Sequence, residues 1–141
     1  MNHKTIFLCT ALALAFALSL FGCGGAPASQ PSGGGAAYRQ ITPDQAHELM
    51  QAGEVTVVDV RRADEYEAGH IPGAVLVPQE SIGQQMPDAL PDADATLLVY
   101  CRSGRRSKLA AQQLADLGYT DVREFGGIID WNYDITEGAE P

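Results

Sequence analysis

One cysteine stands where a strand is expected to meet a helix. Cys101 follows the apolar run Thr96–Tyr100, and a loop with one glycine and three arginines leads from it to Ser107, where helix-forming residues begin. This order places a sulfur beside backbone N–H groups and positive charge at a helix start, which favours the thiolate over the thiol. The segment predicts a nucleophile or an anion site, formed by Cys101, Arg102, Ser103, Gly104, Arg105, Arg106 and Ser107.

The charge distribution makes this segment unusual within the chain. Nine basic residues face eighteen acidic ones, which gives a net charge of −9. Such an acidic protein is not expected to bind nucleic acid or to adhere electrostatically to anionic lipid. Arg102, Arg105, Arg106 and Lys108 nevertheless cluster around Cys101. We interpret the cluster as a focused anion site, because the simpler interpretation of a solvated loop leaves the cysteine among these charges unexplained.

The amino terminus has the pattern of an export signal. A charged start precedes the apolar run Ile6–Phe21, whose 16 residues are fewer than the roughly 20 that span a membrane. We therefore predict a signal peptide over 1–22. The motif Leu20–Cys23 resembles the lipobox of bacterial lipoproteins. That resemblance implies cleavage before Cys23 and acylation of its thiol, and the alternative is an uncleaved hydrophobic anchor.

The next segment cannot form a core. Residues 23–37 are rich in glycine, proline and serine and carry no charge, so they predict a flexible tether. Residues 38–141 have the size of one small domain. We expect an exported monomer anchored through Cys23 to a membrane of the cell envelope, on its periplasmic or extracytoplasmic face.

Helices and strands alternate along residues 38–141. Thr42–Gln45 has the residues of a capping box with proline at the first helical position, and Gly53 fits the helix end. Apolar strands separated by helices indicate parallel crossovers. The fold class predicted is α/β, a small three-layer domain with a mainly parallel five-stranded sheet and helices on both faces. The strands expected are Val55–Val60, Ala74–Val77, Thr96–Tyr100 and Val122–Phe125, and the main helices Ala63–Ala68 and Ser107–Leu117.

Three segments together resemble the rhodanese homology domain, a sulfurtransferase module. They are Val57–Arg61, Gly69–Ala74 and Cys101–Ser107, and the later Gly126-Gly127 and Trp131 also fit. The resemblance implies a rhodanese-like transferase in which Cys101 carries a sulfane sulfur as a persulfide and the loop wraps that sulfur with its backbone N–H groups. It implies thiosulfate or a persulfide or polysulfide as donor, a thiol or cyanide as acceptor, and no cofactor.

The loop chemistry explains how such a transfer would run. A thiolate attacks the outer sulfur of the donor, sulfite leaves, and a second nucleophile removes the sulfur from the cysteine. Arg105 and Arg106 are expected to neutralise the oxyanion of the donor. A preformed thiolate needs no general base, so we nominate no histidine.

Three residues near the site are predicted to be structural. His70 lies between Gly69 and Ile71, where hydrogen bonds of its ring are expected to order a turn. Asp59 and Arg61 are expected to form a hydrogen-bonded pair near a strand end rather than an acid–base pair. The three histidines and the cysteine have no metal-ligand spacing, so we predict no metal.

Other functions stay open at this stage. Cysteine-dependent phosphatases, and arsenate reductases of similar chemistry, place five residues between cysteine and arginine, whereas only four separate Cys101 from Arg106. The shorter loop suits a sulfur atom better than a tetrahedral phosphate. The domain could also be a persulfide carrier or a partner-binding module without turnover, or a structural domain with an inert cysteine.

Overall fold

The structure is a computed structural model and describes residues 37–141. The predicted signal, most of the tether and Cys23 lie outside the described residues. Five strands form one sheet in the order β1-β5-β4-β2-β3, and all neighbouring strands run parallel. The strands are β1 Arg39–Gln40, β2 Val55–Asp59, β3 Val75–Leu76, β4 Thr96–Cys101 and β5 Asp121–Gly127, and the helices are α1 Pro43–Ala52, α2 Ala63–Glu67 and α3 Arg105–Asp116, with 3-10 turns at Gln79–Ser81 and Ile128–Asp130.

Helices cover both faces of this sheet. α1 and α2 pack on one face and α3 on the other, and each face has its own cluster of buried apolar residues. The predicted α/β class with a parallel sheet is therefore confirmed. Among residues 37–141, none of the helices combines the length and the apolar character that crossing a bilayer requires.

Helix α1 begins and ends with the capping residues that the sequence predicts. The Thr42 hydroxyl accepts the backbone N–H of Gln45 at 3.1 Å, and the Gln45 side chain accepts the N–H of Thr42 at 3.0 Å. Gly53 ends the helix with φ of 82°, a conformation that favours glycine. The capping box and the helix stop are both confirmed.

Strand β4 shows why Cys101 lies on the α3 side of the sheet. Successive side chains of a strand point to opposite faces. Leu98 and Tyr100 accordingly join the core under α1 and α2, whereas Leu97, Val99 and Cys101 join the core under α3. The sulfur thus lies at the carboxyl end of a central strand, directly before the helix that covers its face.

Two predicted elements differ in their boundaries. Helix α3 begins at Arg105 and not at Ser107, because Gly104 adopts a left-handed conformation that ends the loop earlier. Leu109 of this helix is 56% exposed although it is a large apolar residue. Strand β5, predicted over Val122–Phe125, extends through Gly126-Gly127.

The edges of the sheet also differ from the prediction. β3 holds only Val75 and Leu76, and both are half-buried because β3 is an edge strand. The strand is therefore shorter than the predicted Ala74–Val77, although Ala74 and Val77 on either side of it are buried. The other edge, β1, has two exposed residues whose sequence predicts no strand.

A buried ion pair joins the end of β2 to the turn after α2. The Arg61 guanidinium lies 2.6 Å from the carboxylate of Asp59 and donates to the Gly69 carbonyl at 2.7 Å. It also lies over the ring of Tyr100, 5.7 Å from the centroid. Both charged side chains are almost completely buried, so neither can be solvated if the other is removed.

We expect Arg61→Met to lower the free energy of unfolding by about 3–5 kcal/mol, because it leaves the Asp59 carboxylate buried without a partner. Urea denaturation of the full chain measures this loss. The control is Arg39→Met, which removes an arginine that is 66% exposed in its ion pair with Asp121 and should cost less than about 1 kcal/mol. Equal losses in the two variants would contradict this view of the buried pair.

Candidate active site

The Cys101 loop turns back on its own sulfur. Cys101 is the last residue of β4, Arg102 and Ser103 form a bend, and Gly104 precedes α3 with φ of 88° and ψ of −10°. This left-handed conformation favours glycine. It aims the Gly104 N–H at Cys101 Sγ, over a distance of 3.1 Å. The loop therefore presents a backbone donor to the sulfur, as predicted from its position at a helix start.

The two glycines at the end of β5 lie against the backbone of this loop. A side chain on Gly127 would collide with the carbonyl group of Arg102 and with Ser103. A Cβ on Gly104 would lie 3.5 Å from the Cα of Gly126, an ordinary van der Waals contact, so the close approach is at Gly127. The loop backbone and the strand thus approach more closely than residues with side chains allow, and the pairing of β4 with β5 is irregular at this point.

Opposing effects set the ionisation of Cys101. Burial, with only 1% of the residue exposed, disfavours the thiolate. Hydrogen bonds from the hydroxyl and N–H of Ser107 and from the N–H groups of Ser103 and Gly104 favour it. Together these donors outweigh burial and lower the pKa of Cys101 below its ordinary value. The thiol is therefore more acidic than a free cysteine, as a nucleophile requires.

The arginines are placed differently from the expectation. The Arg106 guanidinium forms two hydrogen bonds with the Glu65 carboxylate of α2, at 2.6 and 2.8 Å. The Arg106 bond holds the pKa of Glu65 well below its usual range, at about 2. Within residues 37–141 no guanidinium hydrogen-bonds to Cys101 Sγ. Arg106 thus has a carboxylate partner and makes no hydrogen bond to the sulfur, although Cys101, after Glu65, is among the negative groups that raise the pKa of Arg106.

A shallow groove opens at the start of α3. Arg105 and Lys108 line it together with Ser103, Gly104 and the exposed Leu109. Among the described residues neither of these two cations has an ion-pair partner. The groove therefore carries positive charge that is available to an anion arriving at the loop.

The sequence did not predict that one buried acidic residue, Glu124, lies beside the loop. Glu124 of β5 is 2% exposed and accepts the Ser107 hydroxyl at 2.6 Å and the Gly126 N–H at 2.9 Å. A period of two from the buried Val122 places Glu124 on the α3 face of β5. An acidic residue at a core position of a strand, two residues before the glycine pair, was the signal available in the sequence.

The residues predicted to be structural lie on the other face of the sheet. The ring of His70 stacks on Tyr66 at 3.6 Å, and its Nδ1 lies 2.9 Å from the Tyr66 carbonyl oxygen, which can only accept. Nδ1 therefore carries the proton. The Asp59–Arg61 pair contacts Tyr100 on that same face, so none of the three is placed beside Cys101. In the described part of the chain no group of three potential ligands is arranged to hold a metal ion.

The fold and the loop together define a class, an α/β protein with a buried acidic thiol at the carboxyl end of its central strand. The rhodanese-like domain profile matches residues 42–134. The chain is 37% identical over 73 residues to the thiosulfate sulfurtransferase PspE of Escherichia coli, covering 52% of this chain and 70% of that protein. It is 30% identical over 105 residues to the thiosulfate sulfurtransferase GlpE of Pseudoalteromonas translucida, covering 74% and 98%.

Solved structures give the same result. A rhodanese with anions from E. coli superposes with a TM-score of 0.54 at 34% identity, covering 59% of this chain and 98% of that one. The human single-domain sulfurtransferase TSTD1 superposes with a TM-score of 0.60 at 27% identity, covering 67% and 96%. The chain belongs to the rhodanese-like domain family, and its enzyme class is a rhodanese-type transferase, as the sequence predicts.

Proposed function

We propose that this protein transfers a sulfane sulfur from thiosulfate or a persulfide or polysulfide donor, through a persulfide on Cys101, to cyanide or a thiol. The observation that carries the proposal is the hydrogen-bonded Cys101 sulfur at the start of α3, with Gly104 N–H at 3.1 Å. Two relatives named thiosulfate sulfurtransferases support the choice of substrate.

The transfer needs no external oxidant or reductant. The Cys101 thiolate forms a bond to the outer sulfur of thiosulfate, the S–S bond of the donor breaks, and sulfite leaves with the electron pair. A persulfide anion remains on Cys101. Cyanide or a thiolate then attacks the outer sulfur of this persulfide, which releases thiocyanate or a new persulfide and restores the Cys101 thiolate. Charge and electrons balance in both steps.

Backbone donors stabilise the charged sulfur in each state. The first N–H groups of a helix have no partner within the helix, and they favour negative charge. Here these groups belong to Arg105, Arg106 and Ser107, which follow the Gly104 turn. The outer sulfur of a persulfide extends beyond Sγ and lies within reach of this helix start. The helix start thus adds N–H groups for the outer sulfur of the persulfide to the donors from Ser103, Gly104 and Ser107 that stabilise the thiolate.

The position of Arg106 also bears on the phosphatase alternative. Phosphate transfer requires an arginine free to bind two phosphate oxygens. Both terminal nitrogens of Arg106 instead donate hydrogen bonds to the Glu65 carboxylate. Together with the shortened loop, this pairing favours sulfur over phosphate as the group transferred.

The direct test is sulfur loading. Incubation of the full chain with thiosulfate should add the mass of one sulfur atom to the peptide that contains Cys101, as read by mass spectrometry. Cys101→Ser, which removes the nucleophile at almost constant volume, should add none and keep its circular dichroism spectrum. No added sulfur on the wild-type peptide would contradict the proposal, and steady-state thiocyanate formation separates turnover from a carrier that only loads.

The positive groove predicts which arginine selects anionic donors. Arg105→Ala should raise the thiosulfate concentration for half-maximal loading about tenfold, since losing a charge-assisted hydrogen bond to the anion costs about 1.4 kcal/mol. Loading from an alkyl persulfide, which has no sulfonate group, should change little. Arg39→Ala is the matched control, because it removes the same charge from a distant strand. Equal losses on both donors would contradict this role for Arg105.

We further propose that the domain works at the periplasmic or extracytoplasmic face of a cell-envelope membrane, held by a lipid on Cys23. The support is the lipobox-like motif and the uncharged tether that follows it. In a bacterium that processes lipoproteins, a fatty-acid probe should label the wild-type chain and Cys9→Ala but not Cys23→Ala. Absence of label from the wild type, or label on Cys23→Ala, would contradict the anchor.

A further inference from the structure

One ion pair at the start of α3 joins the reactive loop to α2. The two terminal nitrogens of Arg106 donate to the two carboxylate oxygens of Glu65, at 2.6 and 2.8 Å. A guanidinium binds two oxygens of a free oxyanion with the same paired geometry. The side chains of Arg106 and Glu65 are 27% and 19% exposed, so solvent reaches the pair. Glu65 therefore occupies the arginine in the way that an oxyanion from solution would.

The Glu65 carboxylate is held in place by more than Arg106. Its Oε2 accepts the backbone N–H of Arg62 at 3.4 Å, as the third residue of a helix does in a capping box. The Arg62 guanidinium lies 3.9 Å from the same oxygen. The start of α2 thus fixes this carboxylate, and its position opposite Arg106 does not depend on Arg106 alone.

Arg106 belongs to the helix start that presents donors to the sulfur. It is the second residue of α3, which begins directly after Gly104, and the Gly104 N–H lies 3.1 Å from Cys101 Sγ. The start of a helix is also a favourable place for an anion. Glu65, and after it Cys101, are negative groups that raise the pKa of Arg106 above its ordinary value. A guanidinium released from Glu65 would therefore lie on the helical turn that a sulfur donor approaches.

We propose that Glu65 determines which sulfur donors the site accepts, because it keeps Arg106 away from the oxygens of thiosulfate. Only the groove cations Arg105 and Lys108 remain for those oxygens. An organic persulfide or polysulfide has no sulfonate group and needs only the N–H groups around its sulfur. The site is therefore biased toward persulfide and polysulfide donors. This inference rests on the proposed function and narrows its donors to one class.

Glu65→Gln tests the proposal, because glutamine keeps an oxygen for the Arg62 N–H but cannot form the ion pair. Loading of Cys101 in the full chain is followed on its peptide by mass spectrometry, with thiosulfate and with an alkyl persulfide as donors. The ratio of the two half-maximal donor concentrations should shift about tenfold in favour of thiosulfate. This shift corresponds to one additional charge-assisted hydrogen bond from the released Arg106 to the oxyanion.

Two matched variants separate the released arginine from the loss of a negative charge. Asp64→Asn removes the same charge one residue away, and Asp64 bonds to Arg62 and not to Arg106. Its donor ratio should stay within about twofold of the wild type, because exposed charges are screened by salt. The double variant Glu65→Gln/Arg106→Gln has the net charge of the wild type and no guanidinium to release. Its ratio should lie near the wild-type value as well.

A binding measurement makes the result independent of sulfur transfer. Isothermal titration calorimetry with thiosulfate uses the full chain carrying Cys101→Ser, and adding Glu65→Gln should tighten binding about tenfold. Circular dichroism checks folding. If Glu65→Gln does not fold, Glu65→Asp decides, since its shorter side chain reaches Arg106 less well and should shift binding and donor ratio in the same direction.

Three results would overturn this role of Glu65. They are thiosulfate binding that is no tighter, a donor ratio that does not change, and a shift of equal size in Asp64→Asn. Failure of the wild type to load sulfur from any donor would overturn the proposed function instead. The calorimetric result does not depend on that outcome, because the Cys101→Ser chain has no sulfur nucleophile.

Discussion

The site depends on hydrogen bonds from the start of α3 to the sulfur of Cys101. Burial alone would keep this thiol neutral, and the donors of Ser103, Gly104 and Ser107 reverse that effect. They reach the sulfur because Gly104 takes a left-handed turn and because Gly127 lets β5 approach the loop. The parallel sheet positions the sulfur, because β4 ends directly before α3, at whose start these donors lie.

Much of this arrangement could be predicted from short stretches of sequence. The sequence shows Cys101 at a strand end, followed by the glycine turn and the helix. These features lie close together in the chain, where local propensity and capping rules apply. Thr42 and Gln45 form their capping box for the same reason. The Asp59–Arg61 pair is only two residues apart, so its hydrogen bonds are also local.

The remaining features depend on contacts between distant segments. Arg106 looked free to bind an anion, but Glu65 lies 41 residues before it, and only the tertiary fold brings the two side chains together. Glu124 reaches Ser107 across the sheet, and a single acid in a strand forms no recognisable motif. β1 has two residues and is a strand only because β5 pairs with it. Sequence alone could not assign these roles because none of them produces a local periodic pattern of residues.

The central claim is that backbone and hydroxyl donors, rather than arginine charge, stabilise the Cys101 thiolate. A pH titration of the thiolate absorbance of Cys101 tests this claim directly. The absorbance of Cys101→Ser is subtracted as background, and the titration is run at low salt and at about 1 M salt. At the higher salt the screening length is about 3 Å, so exposed arginines lose most of their effect while buried hydrogen bonds keep theirs. The account predicts the same midpoint at both salt concentrations. A midpoint that rises with salt would contradict it and assign the thiolate to the arginines.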